Sequence, residues 1–207
     1  MIKNKFPKKK YLNSTEYFND YINLKHNLLR QIDKKKLNEI IKIILKAIKM
    51  NKKIFSCGNG GSATTAEHLT CDFSKGSCTN TKLNIKSISL NSNTALITAI
   101  ANDISYDKVF SYQLERYANT NDILLLFSVS GSSKNILECA HEAKVKKIKT
   151  ISFTGFNGGK IKKLSNYNIN FPTNNFGIVE DCHLTVMHYI SQYIRMLNIK
   201  SIKNINF

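Results

Sequence analysis

Residues 122–140 read DILLLFSVSGSSKNILECA: a continuous apolar run, a loop rich in hydroxyl groups, and the beginning of a helical pattern. Residues 53–70, KIFSCGNGGSATTAEHLT, repeat this order with glycines in the loop. Continuous apolar runs that alternate with helices are typical of parallel strands, which are buried on both faces of their sheet. Both stretches therefore predict the strand–loop–helix unit of an α/β fold.

The rest of the chain extends this pattern. Three more apolar runs predict strands: IKSISL (85–90), KTISFT (149–154) and NINF (168–171). Residues 14–50 carry apolar side chains at helical spacing, with Ser14 as the predicted cap, and a long C-terminal helix is predicted from about Val179 to Leu197. We expect a three-layer α/β/α fold, with residues 1–207 as a single domain and residues 1–50 as a helical extension packed on it.

The charge of the chain is strongly basic, with a formal net charge of +17. Lysine accounts for 28 of the 31 basic residues, whereas arginine, which suits bidentate recognition of phosphates and bases, occurs only three times. The lysines are spread along almost the whole chain. We therefore expect no nucleic-acid partner, although a basic surface would attract small anionic molecules.

The sequence also predicts where the protein is found. Its longest apolar run is the five residues 123–127, whereas about 18 are needed to span a bilayer, so no membrane span is expected. The lysine-rich N-terminus has no apolar stretch behind it, unlike a secretory signal. Five scattered cysteines without a CxxC pair argue against a disulfide framework. These features predict a reduced, cytoplasmic protein.

The loops after the first and third strands are candidate ligand sites, because ligands of open parallel sheets bind beyond the carboxyl ends of the strands. The loop Gly58–Ser62 lets the backbone approach a ligand. The loop Ser128–Ser133 places four hydroxyls and a glycine at a helix N-terminus, where a phosphate is favoured. Neither loop carries the GxxxxGK[ST] or GxGxxG pattern of nucleotide-binding proteins.

Titratable side chains occur on two of the predicted helices. His68 and Asp72 share one helix face, and Glu180, His183 and His188 lie on the terminal helix. Two imidazoles and two carboxylates can bind a divalent metal such as zinc, but a surface ion pair and a core histidine fit the same pattern. Spacing alone does not bring the two helices together.

Two shorter segments have two interpretations each. Asn102 and Asp103 end a predicted helix, where they either contact sugar hydroxyls or cap the chain. Residues 154–159, TGFNGG, form either a turn or part of a binding site.

Taken in order, these residues resemble the sugar isomerase (SIS) domain and, within it, the phosphoheptose isomerases. The stretches that carry the resemblance are CGNGGSATTAEH (57–68), AIANDISYDKVFSYQLE (99–115), SVSGSSKNILECA (128–140), TISFTGFNGGKIKKLS (150–165) and VEDCHLTVMHYI (179–190). The resemblance implies a flavodoxin-like parallel sheet, a homotetramer and one zinc ion per subunit. It also implies conversion of sedoheptulose 7-phosphate, a phosphorylated heptose, to D-glycero-D-manno-heptose 7-phosphate.

The resemblance also implies roles for individual residues. The positions that match the family's substrate contacts are Asn59, Gly60, Gly61, Ser62, Asn102, Asp103, Ser128, Val129, Ser130, Ser133 and Glu180. The positions that match its metal ligands are His68, Asp72, Glu180 and His188. On the family's pattern, the carboxylate at position 72 is the base and His188 is the acid, acting through a cis-enediol.

The sequence departs from the family's pattern at four positions. Asp72 replaces a glutamate, which withdraws the carboxylate by about 1.5 Å, a distance that matters because displacements near 1 Å can cost a hundredfold in rate. Glu180 replaces a glutamine, and its carboxylate is an alternative base. Val129 replaces threonine or glycine, and Gly177 replaces an aspartate.

Two other functions fit the same residues. One is isomerisation of a different ketose phosphate, because the contacts that recognise the far hydroxyls of the sugar cannot be placed from sequence. The other is a non-catalytic SIS-fold protein that binds a partner. The retained His188 favours an enzyme, since a partner-binding surface needs no acid there.

Overall fold

The computed structural model describes residues 4–201. Its α-helices are α1 Ser14–Arg30, α2 Lys34–Lys49, α3 Gly61–Cys71, α4 Thr94–Asp103, α5 Ser111–Tyr117, α6 Lys134–Val145, α7 Ile161–Leu164 and α8 Phe176–Asn198. Its strands are β1 Lys53–Gly58, β2 Lys86–Ser89, β3 Ile123–Ser128, β4 Lys149–Gly155 and β5 Tyr167–Phe171. A π-helix, Asp72–Gly76, continues α3, and a 3-10 turn, Tyr106–Lys108, precedes α5.

All five strands belong to one parallel sheet in the order β2-β1-β3-β4-β5. The register pairs Gly58 with Phe127 and Ser128 with Thr154, so β1, β3 and β4 end at the same edge. The chain leaves this edge through the loops before α3 and α6. The five predicted strands are therefore confirmed, and the two predicted ligand loops are neighbours.

Helices cover both faces of the sheet, and the side chains of β3 alternate between two hydrophobic cores. Ile123, Leu125 and Phe127 pack in the core that α1, α2, α3 and α8 cover. Leu124 and Leu126 pack in the core under α4, α5 and α6. The continuous apolar run of β3 is explained by this burial on both sides, and the three-layer α/β/α prediction is confirmed.

The N-terminal helices lie on the face that carries α8. Phe6 is buried against the rings of Tyr11, Tyr17 and Tyr21. The predicted cap at Ser14 is wrong: Asn13 caps α1, and its side chain accepts hydrogen bonds from the amides of the second and third residues that follow it. An asparagine one residue upstream supplies this carbonyl in the extended cap conformation, whereas Ser14 is already helical.

His183 lies in the interior of the first core. It is fully buried on α8 among the rings of Phe127, Phe153 and Phe171, whose centroids lie 5.7–6.3 Å from its own. Burial lowers its pKa from 6.5 to about 4, because the apolar surroundings disfavour the charged imidazolium. His183 is therefore a neutral core residue and stands apart from the other titratable groups of α8.

His183 makes the stability of the fold depend on pH. Between pH 6.5 and pH 4 the unfolded chain binds a proton at this residue and the folded chain does not, so the free energy of unfolding decreases as the pH falls through this window. We expect a loss of about 3 kcal/mol from this group between pH 7 and pH 4. Urea unfolding at both pH values should show a smaller loss for His183→Leu; an equal loss in the two proteins would contradict the prediction.

Candidate active site

The two ligand loops are joined by a pair of asparagines. Asn59, in the loop before α3, and Asn135, in the first turn of α6, exchange amide hydrogen bonds of 2.8 and 2.9 Å. The hydroxyl of Tyr106 donates a third bond of 3.0 Å to Oδ1 of Asn59. Asn59 is thus held in one orientation, and two residues that sequence reasoning did not select fix it there.

The loop after β3 forms a cradle at the N-terminus of α6. Ser128 is buried, and its hydroxyl accepts a hydrogen bond of 3.2 Å from the Gly131 amide, which holds the turn together. Ser133 is the N-cap of α6, and its side chain makes no capping hydrogen bond. The α6 N-terminus and the half-buried hydroxyls of Ser130 and Ser133 make this cradle suited to a phosphate.

The cradle is supported by the turn after β4. Gly131 has φ of +63°, and a Cβ there would lie 2.2 Å from the carbonyl oxygen of Gly158. The Ile161 amide donates a hydrogen bond of 2.9 Å to the Gly131 carbonyl. Of the two interpretations of residues 154–159, the structure supports a turn that packs behind the cradle and fixes its shape.

Glu180 lies beside the start of α3. A Cβ on Gly61 would lie 2.5 Å from Oε2 of Glu180, so the carboxylate packs directly against the first residue of α3. The preceding residue, Val179, packs in the same way against Gly155, whose amide donates to the Val129 carbonyl. Partial burial, and then the neighbouring Asp181, raise the pKa of Glu180 above its usual value.

A second cluster of titratable groups forms where α3 and α8 run side by side. Nε2 of His68 and Nε2 of His188 are 3.0 Å apart. The Asp72 carboxylate approaches both rings, with Oδ1 at 3.5 Å from His68 and Oδ2 at 3.8 Å from His188. The structure thus brings together the two helices that sequence spacing left apart.

Asp72 reaches both histidines although its side chain is short. It is the first residue of the π-helix, and its carbonyl accepts a hydrogen bond of 2.7 Å from the Ser77 amide. A π-turn widens the helix locally, and such turns are frequent at functional sites. The shortfall expected from aspartate in place of glutamate therefore does not separate this carboxylate from the imidazoles.

The geometry of this cluster fits a zinc ion. Ligand atoms of His68, Asp72 and His188 all lie within 4.8 Å of one another. Tetrahedral zinc with bonds of 2.0–2.2 Å separates its ligand atoms by about 3.3–3.5 Å, close to the distances between these groups. Two imidazoles and one carboxylate are also a donor set found in catalytic zinc sites, where a fourth position is left for substrate.

Glu180 is not part of this three-residue group. It precedes His188 by eight residues, which is about 12 Å along α8, and its carboxylate packs against Gly61 instead. Its expected role as a fourth ligand stays a prediction.

The remaining predicted site residues occupy different environments. Gly60 is exposed, with φ of +55° and open space where a Cβ would be. Asn102 and Asp103 are exposed at the end of α4, where the amide of one donates 2.8 Å to the carboxylate of the other. Ser62 and Val129 are buried. Gly60, Asn102 and Asp103 are therefore accessible to a ligand.

Comparison with known proteins identifies the family. The SIS domain family model matches residues 16–155. A phosphoheptose isomerase from Helicobacter pylori strain P12 is 34% identical over 158 residues, which cover 76% of this chain and 82% of that protein. A probable phosphoheptose isomerase from Thermoplasma acidophilum is 39% identical over 151 residues, which cover 73% of this chain and 82% of that protein.

Solved structures give the same result. Phosphoheptose isomerase from Neisseria gonorrhoeae matches with a TM-score of 0.80 at 26% identity and covers 88% of this chain and 97% of its own. The enzyme from Francisella tularensis has the same TM-score and identity, with 88% and 96% covered. With its sheet order, its cradle and the extent of these matches, the chain belongs to the phosphoheptose isomerase family of SIS-domain proteins.

Proposed function

We propose that the chain is a ketose–aldose isomerase that converts sedoheptulose 7-phosphate to D-glycero-D-manno-heptose 7-phosphate, the first step toward nucleotide-activated heptose for surface polysaccharide. The observation that carries this proposal is the combination of a phosphate cradle at the start of α6 with a His–Asp–His cluster between α3 and α8. Relatives named phosphoheptose isomerase, at 34–39% identity, support the choice of substrate.

The cradle binds the phosphate end of the sugar. Ser130, Ser133 and the amides that open α6 supply neutral donors and the positive end of the helix dipole. Asn59, in the loop before α3, and Glu180, which packs against Gly61, would contact hydroxyls along the sugar chain. Asn102 and Asp103 are exposed and offer further contacts.

Isomerisation moves a proton between adjacent carbons, so it needs a base and an acid that lie close together. Asp72 and His188 meet this condition, with Oδ2 and Nε2 separated by 3.8 Å. In the proposed reaction Asp72 removes the proton from carbon 1 of the ketose and returns it to carbon 2. His188 exchanges protons with the two oxygens, which passes the sugar through a cis-enediol.

The proposed cofactor is one zinc ion per subunit. His68, Asp72 and His188 would hold it, and Glu180 remains a candidate ligand. When bound, zinc supplies a positive centre that stabilises negative charge developing on the sugar oxygens. The Asp72 carboxylate can serve two partners because Oδ1 lies toward His68 and Oδ2 toward His188.

We also propose a cytoplasmic homotetramer. Large apolar side chains are exposed on α1 and α8, among them Phe18 at 61%, Ile22 at 41% and Tyr189 at 44%. Phe18 and Ile22 are one helical turn apart on α1, and neighbouring exposed apolar side chains are typical of subunit contacts. Among the described residues, no helix has the length and apolar character needed to cross a membrane.

Light scattering of the purified protein should give four times the mass of one chain; a monomer would contradict the tetramer.

The function is tested by incubating purified protein with sedoheptulose 7-phosphate, with and without added zinc, and following the anomeric protons by NMR. Appearance of the aldoheptose phosphate, faster with zinc, is the expected result. Binding without conversion would redirect the assignment to another ketose phosphate or to a binding protein.

We expect His188→Gln to lower turnover at least a hundredfold while the protein stays folded, because glutamine cannot act as an acid at neutral pH. His141→Gln, an exposed position on α6, is the matched control and should keep full turnover. Steady-state kinetics and circular dichroism measure both. Normal turnover in His188→Gln would exclude this residue from proton transfer.

We expect Asp72→Ala to bind less zinc than the unchanged protein, since it removes the carboxylate from the three-residue group. Glu67→Ala is the control because Glu67 lies exposed on the same helix, next to His68. Metal analysis after dialysis against a fixed zinc concentration gives the zinc-to-protein ratio. If that ratio is unchanged in Asp72→Ala, the carboxylate is not a ligand.

A further inference from the structure

Ser191 contacts the carboxylate on which the proposed chemistry depends. Its hydroxyl lies 3.1 Å from Oδ2 of Asp72, across the contact between the π-helix and α8. Ser191 is 3% exposed and lies one helical turn after His188. A buried hydroxyl that faces a carboxylate from another element constrains its orientation, because a hydrogen bond to a charged acceptor is stronger than one between neutral groups.

Three hydrogen bonds connect this contact into a closed circuit. The Asp72 carbonyl accepts from the Ser77 amide at 2.7 Å, which is the π-helical bond. The Ser77 hydroxyl donates to the Ser191 carbonyl at 2.9 Å, and Ser77 is 1% exposed. The Ser191 hydroxyl then returns to the Asp72 carboxylate. Backbone and side chain of Asp72 are thereby both fixed relative to α8, which carries His188.

We propose that Ser191 is a positioning residue for Asp72: its hydroxyl holds Oδ2 on the α8 side and so leaves Oδ1 beside His68. The proposal rests on the proposed function, because the Asp72 carboxylate that Ser191 orients is the proposed zinc ligand and base. It matters for this chain because aspartate is shorter than glutamate, and a carboxylate displaced by about 1 Å can cost a hundredfold in rate. A fixed orientation keeps the short side chain in reach of both imidazoles.

One other acceptor competes for the same proton. The Ser191 hydroxyl also lies 3.0 Å from the carbonyl of His188, three residues earlier in α8. Hydroxyls inside helices often make this local bond, and in that case Ser191 would affect only the geometry of α8. The charged carboxylate is the stronger acceptor of the two. A test must therefore separate an effect that passes through Asp72 from an effect on α8 alone.

A double-mutant cycle makes this separation. Ser191→Ala, Asp72→Ala and the double variant are compared with the unchanged protein, and the dissociation constant for zinc is measured by competition with a chelator. Residues that orient a metal ligand are worth 10- to 100-fold in affinity, so we expect Ser191→Ala to weaken zinc binding at least tenfold. In the Asp72→Ala background the same change should alter affinity less than twofold.

The same cycle is repeated on metal-free protein by urea unfolding, which needs neither zinc nor substrate. Ser191→Ala should raise the equilibrium constant for unfolding about tenfold when Asp72 is present and markedly less when it is absent. Thr185→Ala is the matched control: this exposed hydroxyl on α8 makes a local bond of 2.7 Å to the Asp181 carbonyl. It should leave zinc affinity unchanged.

The outcomes are decisive in either direction. If Ser191→Ala has the same effect with and without Asp72, or no effect in either background, Ser191 does not act through the carboxylate and the proposal fails. If the chain does not isomerise sedoheptulose 7-phosphate but the cycle shows coupling, the proposed function fails and the positioning role stands. If the unchanged protein binds no zinc, the metal-free cycle alone decides.

Discussion

The parallel packing of α3 and α8 against the same face of the sheet is the constraint on which the candidate site depends. Each helix begins at the edge where β1 and β4 end, and Gly61 at the start of α3 has no side chain, so Glu180 of α8 packs directly against it. Seven residues further along α3, and eight along α8, His68 and His188 meet with their ring nitrogens 3.0 Å apart. A rise of 1.5 Å per residue keeps the two helices in register over this distance of about 10–12 Å. A single packing arrangement thus sets the positions of both the Glu180 carboxylate and the His–Asp–His cluster.

The cradle at the start of α6 has a separate origin, in the register of the sheet. Because Ser128 pairs with Thr154 at the ends of β3 and β4, the loops that follow these strands must pass close to each other. They do so at Gly131 and Gly158, where a side chain on either would meet backbone or another side chain. This packing fixes the shape of the cradle, and preorganised donors cost less to order on binding than mobile ones. The asparagine pair links this cradle to the loop before α3, so the two candidate ligand loops are held next to each other.

The sequence predicted the features that follow from local pattern. The five strands were found because residues buried on both faces form continuous apolar runs, and the ligand loops were found because they follow those strands. What it missed depends on contacts between distant segments. Asn135 and Tyr106 touch Asn59 from 76 and 47 residues away, and no spacing rule links them. The cap of α1 was placed one residue late, since Asn13 and Ser14 are both good caps and only backbone conformation distinguishes them. The packing of Glu180 against Gly61 is likewise a contact between distant segments.

Asp72 shows how such a packed site accommodates a shorter side chain. A side chain with one methylene less brings its carboxylate to the same point only if its backbone lies closer or if a contact holds the side chain extended. The structure has a feature that suits each requirement: a π-turn begins at Asp72, and Ser191 donates to the carboxylate from the opposite helix. Ser77 takes part in both the π-turn and the serine contact, because its amide closes the π-turn and its hydroxyl donates to the Ser191 carbonyl. The π-turn and the serine contact are therefore one coupled arrangement, and the position of the carboxylate is determined jointly by the backbone of the π-helix and by Ser191 of α8.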